Sequence, residues 1–470
     1  MTLSNGVGAN IGSARRISVV GAGYVGLTTS ACLAALGHRV VCGDIDENKV
    51  EQLRAGRIGI LEPRLAGLVR AGLDSGRLEF VVGARAAVAR PAFNPEVVFL
   101  CVPTPMRADG AVDVSIMDAV VAEIRDVLPV GVVLAVKSTV PVGTAVRVGS
   151  LLERDDVAVV SNPEFLREGS AVRDFLNPDR VVIGSGDRAA AARVANLYGA
   201  LAAPEVLTDT ASAEVAKYAA NSFLAMKLSY VNSIAEFCES VGADVDAVVK
   251  TMGLDPRIGE GFINPGPGWG GPCLPKDVQG FRYSAAEVGL ALPLMDAAVA
   301  INARQPRRVV DKVRSAAGGR LGGVRIGLLG LSFKSGTADL RESPALAVAE
   351  LLADEGAELV AFDEGVSGTA EQLPETSASR LTLVDDLYDV AKGAAVLVLL
   401  TEWPRFRSLD WQRIASLLTG SVVVDTRNHL PGESLRRAGL THVGTGRGIH
   451  RARPPELHAA STADGEGARR

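Results

Sequence analysis

Six residues constrain this chain more than any other stretch: Gly21-Ala-Gly23-Tyr-Val-Gly26, directly after the apolar run ISVV and directly before a helical pattern. Gly21 permits a tight turn, Gly23 leaves the backbone open to a close ligand, and Gly26 lets helix and strand pack together. The free N–H groups at the helix start favour an anion such as a pyrophosphate. A tight strand-to-helix turn with no ligand has the same three glycines. Here, however, Asp44 closes the next strand about 20 residues on, where a carboxylate binds a ribose diol. That context favours a dinucleotide, and a carboxylate there repels a 2′-phosphate, so NAD is expected rather than NADP.

The pattern around the motif repeats. ISVV, RVVCGD, LEFVV, EVVFLCV, VVLAVKS and VAVVSN are strand candidates, most of them separated by helix-length stretches such as Tyr24–Leu36 and Asp113–Leu128. Buried apolar strands alternating with helices predict a parallel, doubly wound sheet. From Ala211 to about Gly242 no proline or internal glycine interrupts the chain, which predicts one long helix. A second helical stretch follows near Ala285–Ser315, and then VRIGLLGLSF, ELVAFD, AVLVLLT and SVVVDTRN restart the strand–helix rhythm. The expected fold is α/β, with two Rossmann-like doubly wound domains joined by a long central helix. The expected boundaries are a polar tail at 1–14, a dinucleotide domain at 15–210, a central helical region at 211–318, a second α/β domain at 319–450 and a polar tail at 451–470.

At 470 residues the chain is long enough for several domains, and its net charge of −5 with 4% aromatics argues against nucleic-acid binding. No apolar run approaches the ~18–20 residues of a membrane span. The N-terminal residues show no secretory pattern. Five cysteines without CxxC or Cys/His ligand spacing suggest neither a disulfide framework nor a metal site, and a reducing cytoplasm is expected.

Further stretches carry chemistry. Cys101-Val-Pro103-Thr104-Pro105 and Ser138-Thr139-Val-Pro-Val-Gly143 each follow a strand, at the sheet edge where open α/β sheets bind ligands. Either alone reads equally as a rigid turn. Asn162-Pro-Glu164-Phe165-Leu166-Arg167-Glu168, with Asp174 and Arg180 beyond, mixes charges with buried-type residues and offers Glu164 and Glu168 as acid/base groups. On the long helix Lys217 and Asn221 share a face, although Glu214 one turn earlier also suggests a plain surface ion pair with Lys217. The glycine-dense stretch from Gly259 to Asp277 ends in Cys273, outside any apolar periodicity. Lys276, Asp277 and a helix start follow within a turn, and ammonium and helix N-terminus both favour thiolate, so Cys273 reads as a nucleophile. Lys334, Arg341 and Arg427 end strands of the second α/β unit and suit phosphates, as surface loops also do.

GAGYVG, VPTP, STVPVGT, NPEFLREG with NPDRVVIG, KYAAN, GGPCLPKD, LSFK with RESPA, and TEW occur in this order from Arg16 to Gly446. Together they resemble the UDP-glucose/GDP-mannose dehydrogenase family. The resemblance implies a homodimer or higher homo-oligomer built on the long helix. It also implies a four-electron oxidation of a nucleotide-sugar primary alcohol to a carboxylate by two molecules of NAD. Cys273 would carry a thiohemiacetal and then a thioester, with Lys217, Asn221, Asp277, Glu164 and Thr139 around it. Either Lys217 or a water held by Asp277 takes the first proton. The cofactor would meet Gly21, Gly23, Tyr24, Val25, Gly26, Asp44, Lys49, Pro103, Thr104, Ser138, Thr139, Glu168, Cys273, Lys276 and Arg341. The substrate would meet Glu164, Phe165, Leu166, Arg167, Glu168, Lys217, Asn221, Arg257, Phe262, Gly268, Gly270, Phe333, Lys334 and Arg427. The expected reaction is UDP-glucose to UDP-glucuronate. Its alternatives are oxidation of GDP-mannose or a UDP-N-acetylhexosamine, a single-step β-hydroxyacid dehydrogenase, or a non-catalytic NAD-binding protein.

Overall fold

Two apolar strand sets build two sheets. The computed structural model describes residues 14–366 and 373–447, so the polar tails expected at the two ends, residue 14 apart, lie outside the described residues. The first sheet holds β1 (Arg16–Val20), β2 (Arg39–Asp44), β3 (Leu78–Val82), β4 (Val97–Leu100), β5 (Val133–Val136), β6 (Ala158–Ser161), β7 (Val181–Gly184) and β8 (Glu205–Thr208). Its order is β3-β2-β1-β4-β5-β6-β7-β8. Alternate strand residues feed two separate cores, one centred on Ile17, Val19, Phe80 and Phe99 and the other on Val20, Val98, Leu134 and Met117. Helices cover both faces because both faces are apolar.

The expected all-parallel pairing fails at one place. β6 meets β7 antiparallel, through Ser161 and Gly184. Between them the chain forms a loop and only a six-residue helix, Ala171–Leu176. This segment stays at the carboxyl edge of the sheet instead of crossing a face, so the next strand runs back. The polar stretch Asn162–Arg180 is thereby kept where ligands bind.

The second sheet repeats the plan with β9 (Arg325–Leu329), β10 (Glu358–Phe362), β11 (Leu381–Leu383), β12 (Val396–Leu399), β13 (Val422–Asp425) and β14 (Thr441–Gly444). Its order, β11-β10-β9-β12-β13-β14, again reverses beside the first strand. The strands β8, β11 and β14 escape sequence reading because edge strands are short and half polar.

The long helix runs Thr210–Val241, N-capped by Asp209 and stopped by Gly242 in the left-handed region. The helical stretch after it is two elements, Leu274–Glu287 and Pro293–Ala316, parted by Gly289 at φ 76° and by Pro293. Both pack on the long helix. Residue 113–128 is likewise shorter than expected, a helix at Ser115–Ile124 with a 3-10 turn after it.

Candidate active site

In an open α/β sheet the crevice lies at the carboxyl ends of the strands, where strand order reverses. For the first sheet that point lies between β1 and β4, and for the second between β9 and β12. Both open onto one cleft of about 1350 Å³. That exceeds the roughly 300–1,000 Å³ of an ordinary small-molecule site, so two ligands fit side by side.

The glycine motif forms one end. A methyl group on Gly26 would stand 1.8 Å from the Gly21 carbonyl, so only glycine allows this helix to abut the turn. A methyl on Gly23 would touch nothing within 4 Å, which leaves room for a ligand against the backbone. The helix Tyr24–Ala35 has no side-chain cap and no acidic residue in its first turn, so its N–H groups are available to an anion. Asp44 accepts from Ala22 N–H at 2.7 Å and ends β2 beside the crevice, with Lys49 Nζ at 3.2 Å. These features fit a dinucleotide with a free ribose diol. Tyr24 and Val25 line the cleft, whereas Gly21, Gly26, Asp44 and Lys49 do not. The Tyr24 hydroxyl donates to buried Glu62 and accepts from Gly169 N–H at 2.8 Å, tying the turn to the Glu164 loop.

Pro103, Thr104, Ser138 and Thr139 line the same wall. Thr104 Oγ1 donates to the Thr139 carbonyl at 2.9 Å and Ser138 Oγ to the Val102 carbonyl at 2.7 Å. The two proline-bearing turns are thus one cross-linked unit and not two independent rigid turns.

Cys273 sits at the N-cap position of the helix Leu274–Glu287, with no side-chain capping bond, and lines the cleft. Two polar pairs flank it, both held by the long helix. Lys217 Nζ donates to Glu164 Oε1 at 3.0 Å, and Asn221 Nδ2 donates to Asp277 Oδ2 at 2.5 Å. All four of these side chains are buried. Burial alone would raise Glu164, but Lys217 and the Leu166 N–H outweigh it and hold the carboxyl below its ordinary range. Burial alone would lower Lys217, but Glu164, Asp277 and Cys273 hold it above. The pair is therefore ionised.

Three electrostatic expectations need correction. The Cys273 thiol is not depressed but pushed up to about 12, by burial first and by Glu164 next. Cys273 is exposed to the cleft, yet the groups packed around its sulfur desolvate a thiolate. The Lys276 ammonium expected to favour the thiolate is paired with Asp277 Oδ1 at 2.8 Å instead. Glu214 forms no surface pair with Lys217 either. It is buried and accepts from Gly143 N–H at 2.6 Å and Ala145 N–H at 2.8 Å, capping the helix Thr144–Leu152.

The glycine-dense loop comes close to the second sheet. A methyl on Gly270 would stand 1.9 Å from the Glu342 carbonyl. Phe262, Gly268, Gly270, Phe333, Lys334, Arg341 and Arg427 line this end of the cleft. Arg427 is held by the carbonyls of Leu400 at 3.1 Å and Phe333 at 3.3 Å. Burial lowers Lys334, opposed by Glu168. Arg341 pairs with Asp339 and stands 3.8 Å from Glu168, whose second oxygen accepts from Thr337, so this loop bridges the two sheets. Phe165 lies under Arg180 at 3.6 Å, Leu166 packs on the core, and Arg167 pairs with Asp174 at the rim. Arg257 is not brought to the cleft: it is exposed and paired with Asp255. Sequence reasoning passes over Lys137, Tyr198 and Glu62, whose only signal is a charge or hydroxyl in an apolar setting.

Comparisons with known proteins give the family. The UDP-glucose/GDP-mannose dehydrogenase family matches in all three parts: NAD binding domain over residues 15–202, central domain over 211–304 and UDP binding domain over 327–432. A UDP-glucose 6-dehydrogenase of Rhizobium meliloti is 41% identical over 443 residues, covering 92% of this chain and 99% of that one. UDP-glucose 6-dehydrogenase TuaD of Bacillus subtilis is 38% identical, covering 94% and 95%. Among solved structures, a UDP-glucose dehydrogenase of Pyrobaculum islandicum is 36% identical with TM-score 0.82, covering 92% and 98%.

Proposed function

The chain belongs to the UDP-glucose/GDP-mannose dehydrogenase family, and from that premise we propose that it oxidises UDP-glucose to UDP-glucuronate, with Cys273 as covalent nucleophile. It is an NAD-dependent nucleotide-sugar dehydrogenase. UDP-glucose is favoured over its sister substrates because relatives at 41% and 38% identity carry that activity in their names.

The carrying observation is Cys273 set between the Lys217–Glu164 and Asn221–Asp277 pairs, in a cleft shared by both sheets. NAD, when bound, accepts the hydride in each of the two oxidations. An ionised Lys217 is poorly suited to take the first proton, which favours a water held by Asp277 for that task. Lys217 and Asn221 instead stabilise the oxyanion that develops on the sugar's C6 oxygen. The Cys273 sulfur adds to the aldehyde carbon, its proton passing to that oxygen to give a thiohemiacetal. Loss of hydride and proton from this adduct leaves a thioester. Glu164 and Asp277 orient and deprotonate the water that cleaves it, and the thiol leaves with a proton. Thr139 helps to hold that water, while Lys334 and Arg427 face the diphosphate.

Phe223, Tyr230 and Phe237 are exposed at seven-residue spacing on the long helix, which supports a homodimer through this face. No helix among the described residues is long and apolar enough to cross a membrane. Five free cysteines suit the cytoplasm.

The test counts NADH per UDP-glucose in a single turnover with NAD in excess. Wild type releases about two, and Cys273→Ala at most about one, because the covalent step divides the reaction. Two NADH at the wild-type rate from Cys273→Ala would remove the thioester route.

A further inference from the structure

Next to Glu164 lies a lysine that the chemistry above leaves unused. Lys137 follows directly on β5 and is only 4% exposed. Its ammonium donates to Asn162 Oδ1 and to the Tyr198 hydroxyl, each at 3.2 Å. The Tyr198 hydroxyl donates to the same Asn162 oxygen at 2.7 Å, and Asn162 Nδ2 is anchored on the Val182 carbonyl at 2.8 Å. The rings of Tyr198, Phe99 and Phe175 stand 5.6, 5.7 and 6.0 Å from the nitrogen. Among the described residues Lys137 makes no ion pair. A buried ammonium held only by neutral dipoles and ring faces is costly, so its retention calls for a task.

Its surroundings suggest one. Asn162 begins the turn that carries Glu164 two residues later. The charged and titratable groups acting on Glu164 are Lys217 from the long helix, Arg180 from the segment before β7, Cys273 from the glycine-dense loop, Cys101 after β4, and Lys137 after β5. Three of these are cations. Lys217 has to share its N–H groups with the substrate oxyanion. Arg180 is spread over Phe165 and one-third exposed, so water screens it. Lys137 borders the cleft but is only 4% exposed, so water screens it little, and its ammonium is committed to Asn162 and Tyr198.

We propose that Lys137 is a positioning residue for thioester hydrolysis: it clamps Asn162, and with it the Glu164 turn, and its charge keeps Glu164 anionic while Lys217 serves the substrate. The proposal rests on Glu164 acting as the hydrolytic base. Glu164 activates water only as a carboxylate, so removing a neighbouring cation makes it protonate at higher pH. Activity then fails earlier as pH falls.

The experiment compares wild type, Lys137→Met, Lys137→Gln and Lys137→Arg. It measures melting temperature, kcat against pH, KM for both ligands, and acid-quenched label held on Cys273 from radiolabelled UDP-glucose. In Lys137→Met the acid limb of kcat moves up by about half a pH unit or more. Label accumulates on Cys273 below that limb and clears above it, KM stays within about twofold, and Lys137→Arg returns toward wild type. A folded Lys137→Met or Lys137→Gln whose acid limb coincides with wild type overturns the proposal. So does unfolding of both charge-removing variants beside an unaltered Lys137→Arg, since the lysine is then structural. Wild type that never carries label on Cys273 refutes the covalent reading itself, whatever the variants do.

Discussion

Cys273 is exposed to the cleft, while its thiol is held up at about 12 by burial and by the carboxylate of Glu164. A resting thiol suits this reaction, because an anionic sulfur beside Glu164 and Asp277 would carry charge before the aldehyde exists to receive it. Lys217 opposes that rise, and in the proposed mechanism it becomes the dominant partner when an oxyanion forms. The sign for pH follows directly: ionisation is favoured only above the raised value, so reactivity of the free enzyme should climb steadily with pH. Alkylation of Cys273 by iodoacetamide, followed by mass spectrometry, should be slow near pH 7 and show no plateau below about pH 10. A plateau near neutrality would mean that the thiolate is preformed. The other four cysteines are buried and should stay unmodified in the folded protein.

At the scale of elements, glycine positions and one cap separate folding from binding. Gly26→Ala drives a methyl into the Gly21 carbonyl and should prevent native packing of the helix Tyr24–Ala35. Gly23→Ala meets only open space, so it should fold and melt like wild type while NAD affinity falls about tenfold or more. Isothermal titration beside a thermal melt reads both, and full NAD affinity in Gly23→Ala would contradict the close approach. Glu214 offers the converse case. It joins the long helix to the helix Thr144–Leu152, and Glu214→Ala strands a buried N–H at Ala145 and a half-buried one at Gly143. The expected loss is about 1–3 kcal/mol in denaturant unfolding, because each orphaned group loses water and gains no partner. Near-wild-type stability would show that the loop relaxes to let water in.

For the molecule as a whole, the long helix serves two ends. One face carries Lys217 and Asn221 into the cleft, while Tyr230 and Phe237 stand exposed away from it and exposed Phe223 borders it. Three aromatic rings bury on the order of 150–250 Å² each when covered, which is a large part of a small interface. If this face joins two copies, Phe237→Glu should therefore sediment as a smaller species than wild type. A variant that remains fully associated would move the interface elsewhere.

Local covalent patterns made much of this legible from the sequence. Glycine spacing, a carboxylate ending the next strand and strand–helix alternation act over a few residues, so the two doubly wound sheets and the long helix followed from them. Cys273 stood out because a cysteine in a glycine-dense loop has no packing reason to be there. What pairs with what was another matter. Lys217 meets Glu164 across 53 residues, Asn221 meets Asp277 across 56, and Lys276 turns to Asp277 instead of the thiol. The reversal at β7, the buried role of Glu214 and the lone ammonium of Lys137 likewise depend on which elements end side by side. Hydrogen bonds and charges act over a few ångströms in space, and only the packed tertiary structure determines which distant residues come that close.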